Sequence, residues 1–287
     1  MDISIITPVY KGKKYLLRLL RNLERACKEI PQKRIEWIII NDYPEEKIIC
    51  PKTLLNNLII RYFCNNKNLG IHKSRVEGLK KATGKYVHFL DQDDKISKYF
   101  YKIQLNNISG FDACVSNGYV ETGHNIKKEV FHSKKQMEVL DSIKYYFYIG
   151  DLIPSPGMVL IKKSSIPNEW YLNNLSVNGA DDWLLWVFML AQRCNFNKII
   201  DCLYIHVDTG NNASKNKARM WDSTRSALKI FQNEMPNYSF LGQVFTRRIN
   251  MICNFQLKGK NKLLEYLKNL DITFFLIDFK IWRRILK

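Results

Sequence analysis

The stretch GKYVHFLDQDD, residues 84–94, decides how the rest of the chain is read. Residues 86–90 are mostly apolar, in the manner of a short strand buried in a parallel sheet. That strand runs straight into three carboxylates, Asp91, Asp93 and Asp94, within four positions. A core strand that empties into acids puts their oxygens at a sheet's carboxyl edge, where open α/β sheets bind ligands. On a basic chain such a group suits a hard divalent cation, which is bound by one or two carboxylates and by phosphates. The plainer alternative is a solvated acidic turn that opens the next helix, with Asp94 as its N-cap.

Upstream, residues 3–7 form a β-rich run closed by Pro8. Residues 13–30 carry Leu16, Leu19, Leu20, Leu23 and Cys27 at helical spacing. Residues 35–40 and 58–64 read as two further strands, ending in Asn41-Asp42-Tyr43-Pro44 and in the turn-rich NNKNLG. Residues 71–82 read as a helix that Thr83-Gly84 stops. Strands alternating with helices imply crossover βαβ units and a doubly wound, parallel sheet. Each strand ends in polar residues that could face one crevice. Neither G-x-G-x-x-G nor G-x-x-x-x-G-K-[ST] is present, so a nucleotide would be held in another way.

Downstream, residues 96–105 read as a helix, 111–115 as a strand and 121–135 as a charged loop. Residues 153–161 contain Pro154, Pro156 and Gly157, a turn leading into a short strand. In NGADDWLLWVFMLAQR, Leu184, Leu185, Phe188 and Ala191 form a helical core face. Asp181 and Asp182 occupy its first turn, where the helix dipole alone favours acids. A strand in IIDCLYIHVDTGNNAS brings up His206, and a lone histidine is more often structural than a ligand. Helices over 219–233 and 241–256 precede a basic, aromatic-rich tail. Over 272–287 that tail suits an amphipathic helix in an anionic membrane interface, or one packed on the fold.

The chain has 287 residues, enough for one large domain or two small ones. Its 45 basic against 27 acidic residues give a net charge of +18, which calls for an anionic partner without choosing one. Seven scattered cysteines with no C-x-x-C pair favour a reducing cytoplasm. Met1 leads directly into ISIITPV, so we expect no targeting segment, and no apolar run approaches a membrane span.

Taken together, TPVYKGKKYL, the strand ending in IINDY and NLGIHKSRVEGLKKATGKYVHFLDQDD resemble a family-2 glycosyltransferase of the bacterial polysaccharide-biosynthesis type. The resemblance implies a GT-A fold, an α/β architecture with a Rossmann-like, mostly parallel central sheet flanked by helices. We divide the chain into a catalytic domain over 1–214 and a basic helical extension over 215–287. Within the first, 1–105 would bind the nucleotide-sugar and 106–214 the acceptor. By resemblance, Pro8, Val9, Tyr10 and Asp42 hold the nucleotide base, Arg75 lies near the nucleotide, and Asp91 lies toward the ribose. Asp93 would bind Mn²⁺ or Mg²⁺ bridging the diphosphate, with His206 close to that metal. The family usually has Asp-Asp-Gly-Ser after the second strand, and Asn41-Asp42-Tyr43-Pro44 departs from it. Asp182 matches the catalytic base, Asp181 stands where Glu is commoner on the acceptor side, and Trp183 or Trp186 would form a sugar platform or equally belong to the core.

The implied activity is an inverting, metal-dependent transfer from a UDP-sugar to a glycan or lipid-linked acceptor, in the cytoplasm at the inner membrane face. Two other classes were weighed. A sugar nucleotidyltransferase would carry a glycine-rich loop after the first strand, and KGKKY is too poor in glycine. A basic nucleic-acid-binding protein has charge alone in its favour. Acids at the sheet edge would repel phosphates and no recognised module is present, so no nucleic-acid partner is expected.

Overall fold

The computed structural model describes residues 1–122, 126–210 and 215–281, which fall into two compact units. The first comprises Met1–Val130, Ser155–Ile166 and Cys194–Asn211, and the second Phe131–Pro154, Pro167–Arg193 and Asn212–Lys287.

The first unit is built on one sheet of β1 (Ile3–Val9), β2 (Ile35–Asn41), β3 (Leu58–Cys64), β4 (Tyr86–Phe89), β5 (Lys95–Ile96), β6 (Ala113–Thr122), β7 (Ile126–Glu129), β8 (Val159–Lys162) and β9 (Phe196–Val207). The order is β3-β2-β1-β4-β8-β6-β9-β5, with β7 paired to β6. Strands β3, β2, β1 and β4 are mutually parallel, as the alternation of strands and helices requires. Beyond them the sheet is mixed: β8 is antiparallel to β4 and β6, while β6 and β9 are parallel. Every residue of β1 and β2 is buried, which explains their near-continuous apolar runs. Helix α1 (Lys13–Lys28) buries Leu16, Leu19, Leu20, Leu23, Ala26 and Cys27 on one face. Helices α2 (Ile71–Lys81) and α3 (Phe100–Asn107) complete the unit.

Three local expectations change. Pro8 does not close β1 but pairs with Ile40 inside it. Backbone groups alternate sides along a strand, and β4 stops pairing at Ile6, so the missing N–H of Pro8 faces no neighbouring strand. Residues 121–135 are not simply a loop: Tyr119–Thr122 pairs antiparallel with β7, and Lys95 and Lys127 flank Glu121. No helix starts at Asp94. Lys95–Ile96 instead pairs with β9, Ile96 N–H donates to Asn22 (2.7 Å), and α3 begins only at Phe100.

The second unit is helical in its described residues. It contains α4 (Lys134–Glu138), α5 (Ile143–Tyr148), α6 (Asn168–Leu172), α7 (Asp181–Ala191), α8 (Lys217–Glu234), α9 (Ser239–Gln256), α10 (Lys262–Leu267) and α11 (Leu270–Ile281). Phe147, Trp183, Phe231 and Phe245, from α5, α7, α8 and α9, bury one another. Trp183 stacks on Phe245 at 4.6 Å and 8°. These rings draw residues from both sides of position 214 into one core, so the division at 214/215 does not coincide with the compact units. In α11, Phe275 packs on Tyr148 (4.2 Å), whereas Phe274 is 68% exposed. The tail's Trp282, Arg283, Arg284, Ile285 and Lys287 lie outside the described residues. No described helix is long and apolar enough to cross a membrane.

Glu36 is the charged residue inside the otherwise apolar β2, and it is buried. Its carboxylate accepts from Ser4 Oγ (2.6 Å), Thr83 N (2.7 Å), Thr83 Oγ1 (2.7 Å) and Arg61 Nη1 (2.6 Å). Burial works against its charge, but these donors outweigh burial and hold it below the usual glutamate range. A lowered carboxylate stabilises the fold above its unfolded pKa and loses that effect as pH falls through the folded value. Glu36→Gln is therefore expected to destabilise by roughly 1–3 kcal/mol at neutral pH. The gap from wild type should shrink on acidification, as urea unfolding at a series of pH values would show. A constant gap would refute the charge-based account.

Candidate active site

At the carboxyl edge of the parallel strands, β1 delivers Tyr10, which is 44% exposed and edge-on to Tyr43 at 5.4 Å. Lys11 Nζ lies over both rings, 5.4 and 4.9 Å from their centroids. Pro8 and Val9 are buried strand residues, so they can face a ligand only through backbone; Val9 O already accepts from Asp42 N (2.7 Å). Asp42, at the end of β2, is buried and organises the NNKNLG turn. Its Oδ1 accepts from Asn65 Nδ2 and Leu69 N, and its Oδ2 from Gly70 N, each at 2.8 Å. The middle residue of Asp-Gln-Asp, missed in the sequence, clasps the loop after β1. Gln92 Oε1 accepts from Tyr10 N (3.0 Å) and its Nε2 donates to Tyr10 O (3.2 Å). A Cβ at Gly12 would fall 1.8 Å from Gln92 Oε1, so a side chain there would push this clasp aside.

The acids after β4 are treated differently from one another. Asp91 pairs with the buried Arg75 at 2.7 Å, which brings together two of the expected nucleotide residues. Asp94 is not a helix cap. It is buried and accepts from Tyr204 Oη and from Val207 N (3.0 Å), and it pairs with His206 Nδ1 at 3.2 Å. Its hydrogen bond lifts the His206 imidazole to about 9, against the pull of burial. His206, expected beside the metal, thus stands next to the acidic turn as the counter-ion of Asp94. Burial, then the charges of Asp94 and Asp91, push Asp93 up to about 7.

That crowding of oxygens around Asp93 fits a hard divalent cation with a shortage of protein ligands. Among the described residues no three His, Cys, Asp or Glu side chains form a ready-made metal cluster. The remaining ligands would be phosphate oxygens and water, the usual arrangement for Mg²⁺.

In the second unit, Asp182 borders a cavity of about 270 Å³ with Gly150, Asp151, Lys217, Trp221 and Arg248 among its lining residues. Asp182 sits in the first turn of α7, where its Oδ1 accepts from Trp183 N (2.8 Å). Asp151, which no sequence pattern marked, lines the same cavity although part of the residue is exposed. Desolvation by the protein around its carboxyl, then the neighbouring Asp182 charge, raise it above the usual carboxylate range. Asp181 is buried, and its backbone oxygen accepts from Trp170 Nε1 (2.7 Å). Trp183 lines the cavity but is only 2% exposed, with Phe245 on its ring face and Tyr146 O accepting its indole N–H. It is core more than open platform, as is the fully buried Trp186.

Residues 4–167 match the family described as Glycosyl transferase family 2. The chain belongs to that family. It is 24% identical over 253 residues to the GalNAc(5)-diNAcBac-PP-undecaprenol beta-1,3-glucosyltransferase of Campylobacter jejuni, covering 81% of this chain and 75% of that protein. It is 32% identical over 110 residues to the minor teichoic acid biosynthesis protein GgaB of Bacillus subtilis, 37% of this chain. An uncharacterized glycosyltransferase of Haemophilus influenzae is 36% identical over 109 residues, 36% of this chain. The chain spans 12% of the Bacillus protein's length and 41% of the Haemophilus one's. Staphylococcus aureus TarS 1–349, solved in complex with UDP-GlcNAc, superposes with a TM-score of 0.61 at 18% identity, covering 96% of this chain and 82% of that one. The likeness shows the fold, which is GT-A.

The His206–Asp94 pair carries a pH signature. A raised histidine stabilises the fold fully below its unfolded pKa, near 6.5, and that stabilisation is lost as pH rises through about 9. Asp94→Asn should return the His206 midpoint toward 6.5, read by NMR titration, and flatten the loss of thermal stability between those values. A midpoint that stays near 9 would overturn the pairing.

Proposed function

We propose that this glycosyltransferase moves a sugar from a UDP-sugar, with inversion, to a hydroxyl of a glycan or lipid-linked acceptor in bacterial surface-polymer synthesis. The observation that carries the reading is the turn after β4 of a family-2 chain, where Arg75 holds Asp91 and Asp93 is left crowded by charge. The UDP-GlcNAc complex of TarS supports a UDP-sugar donor, and the name of the Campylobacter relative supports a lipid-linked acceptor. Tyr10 and Tyr43 would flank the base, with Asp42 shaping the loop behind it.

Asp182 would take the proton of the acceptor hydroxyl. The oxygen then attacks the anomeric carbon opposite the leaving diphosphate, the bond from that carbon to the phosphate oxygen breaks, and UDP departs. A divalent cation held by Asp93 and the diphosphate would offset the charge that develops on the leaving group. On this reading Asp182→Asn lowers kcat by roughly a hundred- to ten-thousand-fold while UDP affinity stays unchanged. The assay is transfer from UDP-GlcNAc and other UDP-sugars with Mn²⁺ or Mg²⁺, with UDP binding by calorimetry. Undiminished turnover would place the base elsewhere.

We also propose that α10 and α11 rest on an anionic inner leaflet. Leu263, Leu267, Leu270, Phe274 and Ile277 are each more than half exposed, and Lys260, Lys262, Lys268 and Lys280 are exposed around them. Apolar insertion and lysine attraction of about 1 kcal/mol each act together at such a surface. Leu267→Glu with Phe274→Glu should release the full chain from phosphatidylglycerol vesicles in co-sedimentation. Equal binding by both proteins would remove these helices from the contact.

A further inference from the structure

The cavity beside Asp182 holds more positive donors than its own fold uses. Arg248, on α9, is half-buried in the second unit, with its Nε fully enclosed. Its Nη2 donates to Ile149 O, just past the end of α5, and its guanidinium lies over Phe245 at 5.5 Å. No carboxylate lies within ion-pair distance of it among the described residues, and its buried Nε has no hydrogen-bond partner. Burial alone lowers its pKa to about 10, with no anion to offset it. Gly150, at φ +109°, gives the fork room: a Cβ there would fall 2.6 Å from Arg248 Nη2.

Two further donors line the same space. The indole Nε1 of Trp221 is buried without a partner. Lys217 opens the 18-residue helix α8, so its ammonium stands at the positive end of a helix dipole. A buried cation without a counter-charge costs free energy until an anion reaches it.

The acids of the cavity do not cancel this. Desolvation, then the charge of Asp182, hold Asp151 toward its neutral form. One lining group can therefore accept a proton while Arg248, Lys217 and Trp221 offer N–H donors. A neutral sugar would satisfy the first and leave the second uncompensated.

We infer that the cavity binds an oxyanion, phosphate or carboxylate, carried by the acceptor beside the hydroxyl to be glycosylated, with Arg248 as main contact and Lys217 and Trp221 completing it. The inference rests on the reading of Asp182 as the acceptor base. It narrows the acceptor class to sugars or polyols that bear their own negative charge.

The test uses the full chain saturated with UDP, so that the donor's diphosphate subsite is filled. Inorganic phosphate, glycerol 1-phosphate, glucuronate and uncharged glycerol are titrated separately. The Trp221 indole N–H is followed by ¹⁵N NMR and assigned with Trp221→Phe. At least one oxyanion should shift that signal saturably and glycerol should not. Phosphate compounds acting alone would assign a phosphorylated acceptor, and glucuronate acting alone an acidic sugar. Arg248→Gln and Lys217→Gln should each weaken the bound oxyanion by about tenfold or more. If Arg248→Gln fails to fold, Lys217→Gln decides, because Lys217 is exposed. No shift with any oxyanion, or equal affinity in the variants, overturns the inference. Should Asp182→Asn abolish transfer while no oxyanion binds, the base stands and only the inference falls. Full transfer by that variant removes the base and, with it, the acceptor meaning of any phosphate bound.

Discussion

Carboxylates gathered at one edge of a sheet repel one another unless donors are fixed around each, and the first unit is arranged around that constraint. Asp42 receives one side-chain and two backbone N–H groups, Asp91 receives Arg75, and Asp94 receives Tyr204, Val207 and His206. Asp93 has only its own backbone N–H and the charge of His206 to lower it, and burial with the charges of Asp94 and Asp91 outweighs both. The ordering of the turn by Gln92 and Arg75 precedes any ligand, which lowers the conformational cost of binding.

The second unit depends on a different force. Rings from α5, α7, α8 and α9 exclude water from one another, and the close stack of Trp183 on Phe245 fixes α7 against α9. Asp182 on α7 and Arg248 on α9 thereby line a common cavity, although their chain positions are far apart. A side chain held on a packed helix keeps its geometry better than one on a free loop.

Much of the first unit was legible because its signals are local. The runs in β1, β2, β3 and β4, the leucine spacing of α1 and the acids after β4 all follow from side-chain period and turn chemistry within a few residues. The helices α8 and α9 were legible for the same reason. Glu36 was the local anomaly: an acid in an apolar strand signals a donor set, but not which donors. The pairing of β7 with β6 was hidden, because charged residues that satisfy each other across strands resemble a solvated loop when read singly.

What the sequence alone determined was the parallel half of the sheet, the family, and the position of the acidic turn, since hydrophobic period and motif spacing are properties of short segments. Which acid does what was decided only by the tertiary structure. Asp94 looked like a helix cap until Tyr204 and Val207, 110 and 113 residues away, took its oxygens. Trp183 could be read as sugar platform or as core until Phe245 covered its face. Asp151 and Arg248 carried no pattern, because the setting of a charge is defined by the atoms that surround it, and those come from distant parts of the chain.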